Sequence, residues 1–546
     1  STPYKGFAEK RVKTSYCEAK FNDHDPVEMT TILRQKNKAD VQLIQTLYTY
    51  TEENDVRRVE ERTTALGAEG TRLEVTETWL ASAPNPYARG RLKMRQGIDG
   101  VQRVYSYEHA IRHGAAYTVT EETQIDGAPV PGQSHRMVSF ISAEGNTVRT
   151  EEYILLTDGT WSLLDSADYE FDLQNRWTRK TRGNGRITER ELMCDGRPLW
   201  EKDEDGILTS YGYDSARRLV EMIRSATETT PETIISYTRD ALGRAVEERK
   251  DIGAMSTVRR TAYDVLGRVS SETDELGRIT AYAYSDDGLE VTVTTTAGAT
   301  IVTTYNTDGS IREQSGTGQR NLVYVSDLVS DGIRTTELLP GSGGEQPSVV
   351  VSKKITDGFG SVIRIGTANC SNSCYYERFL YNTKGQLTRR GVDNMAPTLY
   401  EYDAFGNEIK ETWKLEATPN LSNSRITTYS YAVERKEDGV YRITLTTKNN
   451  GKGTTYQEKI EKLISRFSSV QESKILSTDG RGNVMTAWTE YGTGTERLQK
   501  SSVSTSTVMA ITKTVDGFTV YQTDYEGITT SQQRTYTVTG TINVSS

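Results

Sequence analysis

Tyr263-Asp264-Val265-Leu266-Gly267-Arg268-Val269 is followed directly by Asp274-Glu275-Leu276-Gly277-Arg278-Ile279 and then by Tyr282-Ala283-Tyr284. The same grammar recurs at Asp240-Ala241-Leu242-Gly243-Arg244, Tyr305-Asn306-Thr307-Asp308-Gly309, Tyr381-Asn382-Thr383-Lys384-Gly385 and Tyr402-Asp403-Ala404-Phe405-Gly406. Tyr263 to Tyr284, Tyr284 to Tyr305 and Tyr381 to Tyr402 are each 21 residues apart, with Asp-x-x-Gly turns at about half that spacing. A fixed short period of this kind marks a repeat architecture.

Asp or Asn opens a turn by hydrogen-bonding its own backbone two residues on, and the Gly three residues later supplies the positive φ that ends a short hairpin loop. A half-period of about 10 residues leaves about six for a strand, the usual length. Each 21-residue unit is therefore one β-hairpin. A lone hairpin is unstable in water, so successive units must pair edge to edge into a strip. The chain has room for roughly 50 strands. At about 4.8 Å between neighbours the strip would be roughly 250 Å long, or two turns of a tube roughly 40 Å across.

Tyr-Asp followed by Gly-Arg and an apolar residue resembles the RHS or YD-repeat family. The resemblance is clear over 165–320 and 351–414, degenerate at Asp214-Ser215-Ala216-Arg217-Arg218-Leu219 where Arg stands in for Gly, and fainter at Asp479-Gly480-Arg481-Gly482-Asn483 and Asp516-Gly517-Phe518. It implies an all-β fold, an antiparallel hairpin strip coiled into a shell or tube. Family members include bacterial toxins whose shell encloses a cytotoxic segment, and animal teneurins, which use a similar barrel in adhesion. Toxin-carrying members bear an Asp-Pro-x-Gly type core motif, associated with self-cleavage, after the last repeats. These 546 residues contain no such motif.

Outward from the repeats, residues 1–160 read as an irregular β-rich region, with alternation such as Arg72-Leu73-Glu74-Val75-Thr76-Glu77-Thr78-Trp79 but no signature. Residues 161–338 form a first repeat block, 339–350 a flexible Gly/Ser/Pro loop, and 351–414 a second block. Residues 415–470 read as an insertion, in which Ile460, Leu463, Ile464 and Phe467 have helix-like spacing while Asn449-Asn450-Gly451 upstream equally suits a hairpin. Residues 471–546 hold degenerate repeats and C-terminal strands.

Composition agrees with a half-wet sheet. There are 45 Gly and 31 Tyr but only 9 Phe, 6 Trp and 4 His, and Tyr suits a pleated surface with one apolar face. With 66 Lys plus Arg against 75 Asp plus Glu, the net charge of −9 argues against nucleic acid as partner. No run approaches the roughly 18 apolar residues of a membrane helix. The start at Ser1-Thr2-Pro3-Tyr4, without Met or a charged-then-apolar leader, reads as processed or trimmed. Four cysteines make no disulfide framework; Cys370 and Cys374 could close a small loop, and Cys17 and Cys194 remain as a long-range pair. No cofactor motif is present: there is no Gly-x-Ser-x-Gly elbow, phosphate loop or dinucleotide fingerprint.

Chemistry, if any, is expected where three of the four histidines gather, at His109, His113 and His135. His109 and His113, four apart, would share one face of a helix or a strand, and imidazoles so placed can hold a metal. With Tyr107, Tyr117 and Arg112 they make the set that proton abstraction beside a sugar carboxylate needs: an anion-pairing Arg, a His or Tyr base and a Tyr acid. The plainer reading is surface β-structure. The repeated tyrosines likewise either stack on sugar rings or, as their period favours, pack as core between turns of the strip.

The expected function is a secreted or surface-associated scaffold of bacterial type, its shell enclosing or displaying a polypeptide. The rival is a carbohydrate-active protein, a lyase on an acidic polysaccharide or a glycoside hydrolase.

Overall fold

The computed structural model describes residues 9–16, 25–34, 39–226, 231–340, 349–367, 376–393, 395–413, 424–451, 455–492, 496–503, 510–515, 518–523 and 529–531. Among these described residues there are 41 strands, from β1 (Glu9–Tyr16) to β41 (Thr529–Ser531), and no helix. Each strand pairs antiparallel with its neighbours in sequence, so the sheet is one uninterrupted meander. The all-β antiparallel strip expected from the repeat is the fold.

The turn between β19 (Met255–Tyr263) and β20 (Val269–Thr273) shows why the motif has these residues. The Gly267 amide donates to the Asp264 carbonyl at 3.0 Å, and the Asp264 amide to the Arg268 carbonyl at 2.8 Å. Gly267 sits at φ 82, where a side chain is strained. The Asp264 carboxylate accepts from the Leu266 amide at 2.9 Å, from the Arg268 amide at 2.8 Å and from Arg268 Nε at 2.7 Å. One aspartate thus satisfies three donors of its own loop. A bulge falls immediately before the aspartate, between Ala262 and Tyr263. The same shift precedes the turns at Tyr213, Tyr305, Tyr381 and Tyr402, and each adds local twist to the strip.

The tyrosines lock this turn from the next hairpin. Tyr284, ending β21 (Ile279–Tyr284), donates its hydroxyl to the carbonyl of Val269 at 2.9 Å. Tyr213 does the same to Pro198, Tyr263 to Ala245, Tyr381 to Val362 and Tyr402 to Leu387, in every case the first residue of the preceding strand. The repeat tyrosines are half-buried. They pack within the strip, Tyr213, Tyr263 and Tyr284 against Arg197, Arg244 and Arg268 of the preceding turn, rather than between successive turns of the coil as their period suggested.

The strip closes on itself along a seam. Gln133 Nε2 donates to Asp403 at 3.0 Å, the Thr157 amide to the Val433 carbonyl at 2.9 Å, and Arg497 Nη2 to Asp205 at 2.9 Å. The loop after β6 (Leu92–Gln96) meets the loop after β29 (Tyr376–Tyr381), and the loop after β8 (Tyr117–Gln124) meets that after β31 (Thr398–Tyr402), an interval of 23 strands. Twenty-three strands at about 4.8 Å give a circuit of about 110 Å, or about 35 Å across if round. The 41 strands therefore make just under two turns.

Two clusters of buried apolar side chains line this seam. Ile154, Leu156 and Leu164 of the first circuit cluster with Val433 and Val440 of the second, and Leu33 and Leu43 pack with Leu66, Leu328 and Ile333. At Gly67 the second circuit comes so close that a Cβ would lie 1.7 Å from the Asp331 carbonyl oxygen. Elsewhere both faces of the sheet are only partly covered. The accessible surface is 32244 Å², against roughly 20,000 Å² for a compact globule of this mass. The molecule is a wall rather than a filled core.

The described residues of 415–470 belong to the same ladder. They supply β33 (Arg425–Lys436), β34 (Gly439–Asn449) and β35 (Thr455–Leu463), so the hairpin alternative holds and the helical one does not. Ile460 is 47% exposed and Leu463 7%, because three residues on a strand point to opposite faces. Cys194 is exposed and free. Cys17, Cys370, Cys374 and most of the 339–350 loop lie outside the described residues.

Candidate functional site

One edge of the first circuit is not covered by the second and forms a rim. The loop after β7 (Gln102–His109) lies on it, and with it most of the residues singled out from sequence. His109 pairs in register with Tyr117, the first residue of β8. Tyr87, from the loop between Trp79 and Leu92, stacks on Tyr117 with ring centroids 5.0 Å apart and leans over His109 at 6.2 Å. Arg91 donates to the Tyr117 hydroxyl at 2.8 Å and lies 4.9 Å from that ring and 5.6 Å from Tyr107. The result is an exposed aromatic and cationic platform.

Tyr107 is 8% exposed, and its hydroxyl is committed to the Leu92 carbonyl at 2.8 Å. Burial, helped by nearby Tyr117 and opposed by Arg91, raises its pKa above the usual phenol value. It serves the strip as the repeat tyrosines do and is poorly placed as a proton donor.

The histidines do not converge. His109 ends a strand, whereas His113 lies beyond it in the turn at φ 56, so the two do not share a face as the four-residue spacing suggested. His113 stands edge-on to Phe140, centroids 5.1 Å apart. It also adds to the groups acting on Glu151: burial raises that carboxyl, but hydrogen bonds from Tyr153 and Arg149 and the charges of Arg149 and His113 leave it below its usual value. Arg112 is exposed in the same turn. His135 opens β9 (His135–Ile141), whose far end is the one near His109. Seven residues at about 3.3 Å each place it about 20 Å away, on the opposite edge of the strip. There it faces the seam: burial lowers its pKa, Arg442 of β34 adds to that, and Glu152 opposes it. Among the described residues no three His, Cys, Asp or Glu side chains gather to hold a metal ion.

The platform's two chief members, Tyr87 and Arg91, were not singled out from sequence. Their segment follows Pro84-Asn85-Pro86, which marks a loop but not what the loop folds onto. No helix among the described residues is long and apolar enough to cross a membrane.

The RHS Repeat family model matches residues 263–300, the segment whose turn is described above. Among solved structures, the chain is similar to the TcdB2-TccC3 complex without its hypervariable C-terminal region, at 11% identity over 94% of this chain and 35% of that one, with a TM-score of 0.31. It is also similar to the TcdB2-TccC3 complex (10%, covering 92% and 35%, TM-score 0.25) and to the Photorhabdus luminescens Tc holotoxin pore (10%, covering 92% and 34%, TM-score 0.25). The chain thus spans 35% of the length of the first of these. No curated protein matches it at a significant level. Residues 263–300 are thus an RHS repeat, and the ladder around them reuses its turn and its tyrosine clamp.

Proposed function

We propose that the chain is the wall of a β-shell whose lumen holds a polypeptide in extended or partly folded form. The seam carries this reading: it turns a strip into a coil about 23 strands round, with both sheet faces left accessible. Side chains reaching about 5 Å inward from a tube about 35 Å across leave a lumen of about 25 Å. A folded 100-residue domain, with a radius of gyration of about 13 Å, is about 34 Å wide and would not fit. An unfolded segment would.

As the family resemblance implies, we take the protein to be secreted or displayed at a bacterial surface. We also take it to be a container and not a catalyst, because His109, His113 and His135 face three separate neighbourhoods. Small-angle X-ray scattering tests the shell: the distance distribution should be that of a hollow body. Proteolysis tests the guest. An unstructured polypeptide co-folded with the chain should resist a protease that destroys it when free, and a filled-globule profile with an unprotected guest would refute the reading.

A further inference from the structure

The two middle residues of an Asp-x-x-Gly turn have two fates in this molecule. On the seam edge of the second circuit they are docked. Gly358 donates its amide to the Leu66 carbonyl at 2.6 Å, and the Arg72 guanidinium lies 3.5 Å over the Phe359 ring. In the next turn but one, Asp403 and Asn407 share Gln133. On the open rim of the first circuit the same positions hold Leu173, Leu242, Val265 and Leu266, which are 106%, 78%, 102% and 73% exposed. Ile111, in the loop after β7, adds another at 86%.

Apolar side chains so exposed, and repeated along one edge, mark a contact surface. The edge that receives such turns in the seam is repeated on the far rim, which is uncovered too and carries an exposed apolar residue of its own: Leu276, in the Asp274–Gly277 turn, is 77% exposed. We propose that the rim bearing Leu173, Leu242, Val265 and Leu266 docks a second copy of this chain, stacked coaxially so that the far rim of one copy seats on these turns of the other. The seam is the template for the contact, since it already joins the same two kinds of edge within one chain. Because the two rims differ, the contact is head-to-tail and does not close by itself, so association grows with concentration instead of stopping at a dimer.

Light scattering coupled to size-exclusion chromatography, over a concentration series of the full chain, decides the matter. The apparent mass should at least double as concentration rises. Leu173→Glu, Leu242→Glu, Val265→Glu and Leu266→Glu combined should hold the chain at monomer mass, with its β circular dichroism unchanged. Because these side chains touch little in the monomer, the variant retains its fold. A wild-type chain that stays monomeric to its solubility limit, or a folded variant that associates like wild type, would overturn the proposal. Capture of a different protein by a wild-type chain that stays monomeric would also overturn it. The proposal shares the coil geometry with the shell reading, and scattering from the monomeric variant separates them: a hollow profile there keeps the shell even if stacking fails.

Discussion

Arg268 lies 4.3 Å above the ring of Tyr284, sixteen residues further along the chain and one hairpin away. The same guanidinium is paired to Asp264 at 2.7 Å, and the Tyr284 hydroxyl holds the carbonyl next to Arg268. Arg244 over Tyr263, at 4.2 Å, repeats the arrangement. Each tyrosine therefore secures a turn built earlier, and the 21 residues from Tyr263 to Tyr284 are the distance from one clamp to the next.

Tyr284→Phe should cost about 1 kcal/mol, the usual net worth of one hydrogen bond. Tyr284→Ala should cost more, since the Arg268 stack goes too. The effect is local, so hydrogen exchange is the right probe: amides of Gly267 and Arg268 should exchange faster, while those near Val433 should not change.

Arg217 occupies the glycine position of its turn at φ 64. Its ion pair with Asp195, at 3.2 Å, leaves the arginine side chain 70% exposed and contributes little. Arg217→Gly should raise stability by about 1 kcal/mol, the cost of a left-handed non-glycine residue. Chemical denaturation of the two proteins side by side measures it, and a loss of stability would show that the ion pair outweighs the strain.

The turn aspartates make the ladder sensitive to acid. Arg197 holds Asp195 down to about 2, and the side chain of Arg176 and the backbone amide of Arg278 lower Asp172 and Asp274. A carboxylate depressed in the folded state stabilises fully above its unfolded pKa of about 3.9, and that stabilisation is lost as pH falls towards the folded value. Unfolding should therefore become easier between about pH 4 and pH 2, as followed by β circular dichroism.

His135 acts earlier in the titration. Its folded pKa lies below the unfolded value of about 6.5, so the unfolded chain binds the proton first and stability falls as pH drops below that value. His135→Gln should flatten the stability difference between pH 7.5 and pH 5.5 (about one unit either side of the free imidazole value). An unchanged difference would place the sensitivity elsewhere.

On the container reading, incubation with uronic-acid polysaccharides yields no unsaturated, ultraviolet-absorbing ends. His109→Ala and His113→Ala then leave every measured property but local stability untouched. A product that appears with wild type and vanishes with His109→Ala would restore the lyase.

The repeat was legible because its chemistry is local: Asp264, Gly267 and Arg268 satisfy one another within five residues, so the turn is spelled out in one short stretch and recurs with few changes. The strand count and tube width followed from the same spacing. What sequence could not show was where the strip meets itself, since Gln133 and Asp403 are 270 residues apart and nothing in either loop names the other. The histidine cluster misled for a related reason. Nearness in sequence placed His113 and His135 together, but a meander carries residues on successive strands to opposite edges.

The unbroken meander also dictates an order of folding. Every strand finds its partner in the hairpin just made, so contact order is low along the ladder and each unit can form as the chain emerges. The seam alone must wait: Thr157 has no partner until Val433 arrives, 276 residues later. A chain delivered slowly from its N-terminus would therefore exist for a time as an open ribbon, and would wind shut only when the second circuit reaches the first.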